Sequence, residues 1–267
     1  MDGTQLPSRV TVEPDKASPA RVYDWFLGGS HNFAVDREVA ERAVALIPQI
    51  PEIARANRHF LRRAVLAAAD LGVDQFLDLG SGIPTVGNVH EVAREVNPAA
   101  RVVYVDLDPV AVAQSKQILG DDPKSYVLQA DLLDGTGVVG DEGVKALLDL
   151  SRPVCLLMVA VGHFIVDDAA LGGAIAAYRE LLPSGSYIVM SHGTQEKPTA
   201  ESEKIQQMYA RGGTAMVSRT ADELAALLTG WEPIEPGIVY ANDWRPTDAE
   251  AAGSTKYNVL AVVARKP

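Results

Sequence analysis

Between residues 75 and 191, short apolar runs alternate with helical stretches, and this alternation restricts the fold more than any other feature of the chain. Strands are expected at 75–79 (QFLDL), 101–106 (RVVYVD), 125–130 (SYVLQA), 154–161 and 186–191. Helical spacing fills 85–96, 109–119 and 169–182 between them. Strand and helix in turn imply a mostly parallel sheet with helices on both faces. The strands are continuously apolar, as strands buried on both sides need to be. Further along, 198–210 and 220–228 read as helices, and 238–240 and 257–264 as strands, giving seven strands in all. Asp108 is expected to cap the helix that begins at Pro109, and Gly120 to end it. Asp167 and Asp168 are expected to cap the helix from Ala169.

The N-terminal part reads differently. Residues 1–18 are polar, contain proline and lack an apolar core, so a flexible arm is expected. Val35, Val39, Ala43, Leu46 and Ile47 recur at helical spacing until Pro48 and Pro51 interrupt them. Helical spacing resumes over 53–71 and stops at Gly72.

A chain of 267 residues can bury a large core without a disulfide or metal staple. Its one cysteine, Cys155, lies in an apolar run and reads as a small buried hydrophobe. That usage fits a reducing compartment, and a cytoplasmic location is expected. The net charge of −11 repels phosphate backbones and anionic lipid, so neither nucleic acid nor a membrane is an expected partner. Arg55, Arg58, Arg62 and Arg63 cluster, with the spacing of one polar helix face. The longest apolar run, 153–161, is too short to span a bilayer. No metal site is expected.

In parallel sheets of this kind, ligands bind beyond the carboxyl ends of the strands. There the first strand runs into Asp78, Gly80, Ser81 and Gly82, and Pro84 follows where many nucleotide loops have another glycine. Pro84 suits the first turn of the next helix, but it removes an N–H from the end that usually receives a pyrophosphate. The second strand ends at Asp106, placed to accept from ribose hydroxyls, and the third at Asp131, placed to accept from an exocyclic amine. Three carboxylates in succession describe a ligand with hydroxyl and amine donors and a cationic part, without phosphate. S-adenosylmethionine has that chemistry.

These motifs resemble the class I methyltransferases that use S-adenosylmethionine. A closer resemblance covers almost the whole chain: ARVYDWFLGGSHNFAVDREVAER, RANRHFLRRAV, QFLDLGSGIPT, RVVYVDLDPV and LPSGSYIVMSH are similar to one bacterial S-adenosyl methyltransferase family. The resemblance implies a Rossmann-like class I methyltransferase fold with an N-terminal helical lid at 19–72, forming one structural unit with a cofactor-binding domain at 73–267. It implies S-adenosylmethionine as cofactor and S-adenosylhomocysteine as product. Asp78, Gly80, Ser81 and Gly82 would line the methionine and sulfonium side. Asp106 and Leu107 would hold the ribose and adenine edge, and Asp131 and Leu132 the adenine. On the lid, Tyr23 would donate to the methionine carboxylate, Asn32 would bind nearby, and Arg58 would neutralise that carboxylate. Trp25 and Phe26 read as anchors of the lid, and Gly28-Gly29 as a helix stop.

The resemblance leaves the methyl acceptor open; a small molecule methylated on oxygen or nitrogen is expected. If a base is needed, His163 after the fourth strand is the first candidate, His192 after the fifth the second, and His31 the third. The segment 194–216, with Gln195, Glu196, Met208, Tyr209 and Met216, is expected to shape the acceptor pocket together with the lid. Two alternatives stand beside this reading. One is a protein that binds S-adenosylmethionine without catalysis. The other is a nicotinamide-dependent oxidoreductase, which the acid before the glycines and Pro84 oppose.

Overall fold

A computed structural model describes residues 16–84, 87–194, 203–204, 207, 215–251 and 258–267. Three helices come first: α1 (Pro19–Phe26), α2 (Ala34–Leu46) and α3 (Ile50–Asp70). The alternating part follows as β1 (Gln75–Leu79), α4 (Val89–Val96), β2 (Arg101–Asp106), α5 (Pro109–Leu119) and β3 (Ser125–Gln129). Two short helices, α6 (Gly135–Gly140) and α7 (Glu142–Leu147), lead to β4 (Cys155–Val159), α8 (Asp168–Leu181) and β5 (Tyr187–Gly193). The chain continues through α9 (Ala221–Leu227), β6 (Glu232–Pro233), β7 (Val239–Tyr240) and α10 (Asp248–Ala251) to β8 (Val259–Arg265).

The sheet runs in the order β3-β2-β1-β4-β5-β8-β6, and β7 also pairs with β8. β1 to β5 are mutually parallel, while β8 lies antiparallel to β5, pairing Val189 with Val263. The strand count is therefore eight rather than seven. The addition is the two-residue β6, too short and too charged for its sequence to announce it. After β3 the chain returns to the other side of β1, so the order reverses between β1 and β4. The mouth of that switch point is where such sheets hold ligands.

Alternate residues of each strand feed two cores. Phe76, Val102, Tyr104, Leu157 and Val189 pack under α3, α4 and α5. Leu77, Val103, Leu156, Ile188 and Val262 pack under α6, α7, α8 and α9. Every residue of β1 is buried. Burying one such aliphatic side chain contributes about 1.5–3 kcal/mol, so this two-sided burial fixes the sheet. Cys155 lies in it fully buried, and burial pushes its thiol well above the ordinary range.

The expected caps hold in part. The Asp108 carboxylate accepts from the Val110 N–H, and Asp167 accepts from Ala169 and Ala170. Asp168 does not cap; it pairs with Arg219. The helix expected over 85–96 begins only at Val89, with Glu91 accepting from the Asn88 N–H. Pro84 therefore lies in the preceding loop and not in a helical turn. The expected helix at 198–210 falls largely outside the described residues.

Residues of the expected 19–72 segment divide between two cores. Val22, Phe26, Val39, Ala40, Ala43 and Ala54 form a separate small core. Phe60, Leu61, Ala64 and Val65, farther along α3, belong instead to the main core. Thus α3 joins lid and sheet, and no boundary falls at residue 72. Of the N-terminal arm, Lys16 and Ser18 are held: Ser18 N–H donates to Asp36, and the Lys16 carbonyl accepts from Arg21.

Candidate functional site

A cavity of about 1180 Å³ lies between the lid and the carboxyl ends of β1 to β5. Of the residues expected to bind a ligand, Tyr23, Arg58, Asp78, Gly80, Ser81, Gly82, Asp106, Leu107, Asp131 and Leu132 line it. His163 and His192 line it as well.

The glycine turn is built by two backbone bonds: the N–H groups of Gly80 and Ser81 both donate to the Val105 carbonyl, at 2.8 and 3.1 Å. Gly80 has φ +66°, and a Cβ there would collide with the Val161 side chain, which comes from beyond β4. Gly82 has φ +64°, and a Cβ there would meet open space. The first glycine is thus needed for packing and the second leaves room for a ligand.

Asp106 completes the turn from the next strand. Its Oδ2 accepts from the Gly82 N–H at 2.7 Å and its Oδ1 from the Asp108 N–H at 2.8 Å. A carboxylate has about four acceptor positions, so Asp106 retains capacity for a further donor. Burial raises the Asp106 pKa to about 6, against the lowering effect of those N–H bonds. Asp78 is 6% exposed, and burial lifts it further, to about 7; nearby Arg58 works against this lift and Asp106 adds to it. At Asp78 the cost of burying the ionised form outweighs the attraction of Arg58. Asp131 is exposed, and its Oδ1 accepts from the Leu133 N–H at 2.9 Å. Leu107 is 51% exposed at the same rim. In their chemistry these carboxyls can accept from hydroxyl and amine donors, and an ionised Asp78 can face a positive charge.

On the lid, the Tyr23 hydroxyl donates to the Ala54 carbonyl at 3.1 Å and accepts from Asn57 Nδ2 at 2.9 Å. Its proton is thereby committed within the lid and not to a carboxylate in the cavity. Asn57 Oδ1 in turn accepts from Ser191 Oγ, which accepts from the Ala160 N–H. This buried chain ties the lid through α3 to the ends of β5 and β4. Asn32 does not line the cavity; its amide donates to Asp24 and to the Gly29 carbonyl, closing the loop after α1. Arg58 donates to the Gly87 carbonyl at 3.1 Å beside the glycine turn. Arg62 and Arg63, by contrast, pair with Glu95 and Glu250, as a polar helix face would.

Two arginines escaped the sequence reading. Arg21, 4% exposed, donates to Asp36 at 2.8 Å and to Asp108 at 3.1 Å, pinning the lid to the loop after β2. Arg219, 2% exposed, donates to Asp168, to the carbonyls of Gly162 and Ile165, and to the Nε2 of His192 at 2.8 Å. Their partners lie far away in sequence, and no spacing marks either residue. Asn57 did leave a signal. It is a polar residue on the apolar stripe of α3, between Ala54 and Phe60.

The two histidines differ. His192 is fully buried; its Nδ1 lies 2.8 Å from the Gly193 carbonyl, so it carries the proton, and its Nε2 lone pair receives Arg219. Burial lowers its pKa to about 4. With its one lone pair occupied, His192 is not a base but a part of the frame. The His163 ring stands edge-to-face with His192, centroids 5.6 Å apart, and against Phe164 at 4.4 Å. Burial lowers its pKa to about 3. An imidazole that weakly basic is poorly matched to proton abstraction near neutrality. His31 stands apart from the cavity, its N–H bonded to Asp24. Met216 lines the cavity as expected; Gln195, Glu196, Met208 and Tyr209 fall outside the described residues. Among the described residues no cluster of histidine, cysteine and acid suits a metal, and no helix is long and apolar enough to cross a membrane.

Comparison with known proteins gives the family. A DUF574 family protein of Streptomyces avermitilis is 38% identical, superposes with a TM-score of 0.90, and is covered over 100% of its length by 96% of this chain. A methyltransferase candidate of Thermobifida fusca is 36% identical, TM-score 0.88, over 94% of this chain and 96% of its own. A curated relative, the ribosomal RNA small subunit methyltransferase H of Halorhodospira halophila, is 31% identical over 97 residues, 36% of this chain; the match spans 29% of that relative's length. Residues 5–267 match the S-adenosyl methyltransferase family, so the chain belongs to that family, with its Rossmann-like fold and S-adenosylmethionine as cofactor.

Proposed function

We propose that the protein transfers the methyl group of S-adenosylmethionine to a small-molecule acceptor, on oxygen or nitrogen. The supporting observation is the size of the cavity. Its volume of about 1180 Å³ exceeds the roughly 300–1,000 Å³ common for single-ligand pockets, which leaves space for an acceptor beside the cofactor. In this reading Asp106 holds the ribose, Asp131 and Leu132 the adenine, Leu107 the outer adenine edge, and Asp78 and Arg58 the charged methionine end. Gly80, Ser81 and Gly82 give the thioether room to lie against the main chain. Tyr23 holds the lid over it through Ala54 and Asn57.

The sulfonium supplies an already activated methyl group, so the protein's work is alignment and exclusion of water, which contributes at best about 7–11 kcal/mol. α1 and α2 exclude solvent. Arg21 keeps them seated against the loop that follows Asp106. The acidic rim and the net charge of −11 speak against a polynucleotide acceptor.

The test is turnover of the full chain with S-adenosylmethionine against fractionated small-molecule extract and, separately, ribosomal RNA. S-adenosylhomocysteine formed with an extract fraction is the expected result. Product formed with RNA alone would overturn the small-molecule reading. Tight S-adenosylmethionine binding without turnover on either would favour a binding protein.

A further inference from the structure

We infer that the acceptor is an apolar aromatic whose nucleophile is an anionic oxygen, such as a phenolate, held by a hydrogen bond from His163. This rests on the methyltransferase reading and deepens it.

The first observation is the His163 ring. Its Nδ1 is closed off from the cavity, and among the described residues nothing bonds to it. Neutral imidazole has one N–H and one lone pair. A buried N–H without an acceptor is rarer and more costly than a buried acceptor left unpaired. The proton therefore belongs on Nε2, and His163 meets the cavity as a donor. A donor holds an oxygen that carries lone pairs and no competing proton.

The second observation is position. Val161 packs on Gly80, so the segment after β4 begins at the glycine turn, and His163 follows two residues later. It thus lines the cavity close to the glycine turn.

The third is charge. The β1 to β3 end of the cavity carries Asp78, Asp106 and Asp131, three carboxyls against the one guanidinium of Arg58 beside Asp78. The β4 to β5 end carries His163 and His192, with Arg219 directly behind His192. Arg219's partner Asp168 lies outward and is 71% exposed, so solvent screens it. Asp24 lines the cavity from the N-terminal helices; its Oδ2 accepts from His31 N–H and Asn32, and among the described residues its buried Oδ1 has no hydrogen-bond partner. An ammonium acceptor finds a guanidinium at the β4 to β5 end, whereas an oxyanion finds complementary charge. The surrounding walls, Phe26, Ile53, Phe164, Ile165, Met216 and Val217, are apolar and in two cases aromatic.

The step balances without a protein base. The phenol loses its proton to solvent on binding. The oxygen lone pair then forms the O–CH3 bond, the S–CH3 bond breaks, and its electron pair remains on sulfur. A neutral ether and a neutral thioether result.

The probe is para-nitrophenol, whose anion absorbs visible light, titrated against the full chain saturated with S-adenosylhomocysteine. The expected result is a bound pKa about one unit below that in water, a tenfold preference for the anion. His163→Leu is expected to abolish the shift, and His163→Gln, which keeps an N–H donor, to retain part of it. Para-nitroaniline is expected to bind at least about tenfold more weakly. An unshifted or raised pKa, an equal shift in His163→Leu, or preference for the aniline overturns the inference. Nitrogen NMR of the parent protein gives a check independent of any variant: an imidazole protonated at Nδ1 overturns it as well. Calorimetry with S-adenosylmethionine separates the two levels. If the cofactor does not bind, the methyltransferase reading itself falls; if it binds and the phenol titrates as in water, only this inference does.

Discussion

Asp106 at the end of β2 accepts the Gly82 N–H at 2.7 Å, so the acid of one strand shapes the glycine turn of its neighbour. The same carboxylate also holds Asp108 N–H, and Asp108 receives Arg21 from the lid. The glycine turn and the N-terminal helices are thus mechanically connected through two neighbouring carboxylates.

Asp106→Asn is expected to weaken S-adenosylmethionine binding by about 1.5–3 kcal/mol, the range for hydrogen bonds to a charged group. An amide keeps only one acceptor oxygen and places NH2 against either Gly82 or Asp108. Isothermal calorimetry gives the affinity and circular dichroism the fold; an unchanged dissociation constant would remove Asp106 from the site.

The glycine pair should separate packing from binding. Gly80→Ala adds a methyl that meets Val161 and also imposes the left-handed cost of about 1–2 kcal/mol on the fold. Gly82→Ala carries the same backbone cost but no collision. We expect Gly80→Ala to lower the melting temperature more than Gly82→Ala does, and Gly82→Ala to lose cofactor affinity beyond its loss of stability. The reverse order would mean that the cofactor lies elsewhere.

Affinity for S-adenosylmethionine is expected to rise with pH. Asp78 titrates at about 7 and Asp106 at about 6 in the free protein, both raised by burial. Cationic and hydroxyl groups bind their ionised forms, so binding below neutrality should release protons. Calorimetry in buffers of differing ionisation enthalpy measures that release; none would show that the cofactor does not reach these carboxyls. The sign for folding is opposite. Raised carboxyl pKa values stabilise the free fold below the ordinary Asp range, and this contribution is lost as pH climbs through about 6 and 7. Stabilisation by the cofactor should therefore be larger on the alkaline side of that window.

Arg219→Met should destabilise strongly, and Asp168→Ala little. Removing the guanidinium leaves the Ile165 carbonyl and the His192 lone pair unpaired, at about 1–3 kcal/mol for each group that finds no water, while the Gly162 carbonyl keeps the Ile165 N–H. Asp168 is largely exposed, and an ion pair reaching into solvent contributes about 0–1 kcal/mol. Thermal denaturation of both variants checks the contrast, and equal losses would contradict it.

The sequence alone determined the sheet, because strands such as FLDL and RVVYVD are apolar on both faces and have a helical stretch between them. It also located the rim residues Asp78, Gly80, Gly82, Asp106 and Asp131, since a parallel strand delivers its last residue to one edge wherever the strand sits in the sheet. Only the tertiary structure decided what the side chains do there. His163 and His192 look alike in sequence, yet Arg219, twenty-seven residues beyond His192, occupies the lone pair of one and leaves the other facing the cavity. Tyr23 and Asn32 read as ligands in the sequence, and only the structure shows the partners they have within the chain, Ala54 and Asn57 for one and Asp24 for the other. Periodicity reports which face of an element is buried. Hydrogen-bond partners are set by contacts between elements distant along the chain, and no local pattern encodes those.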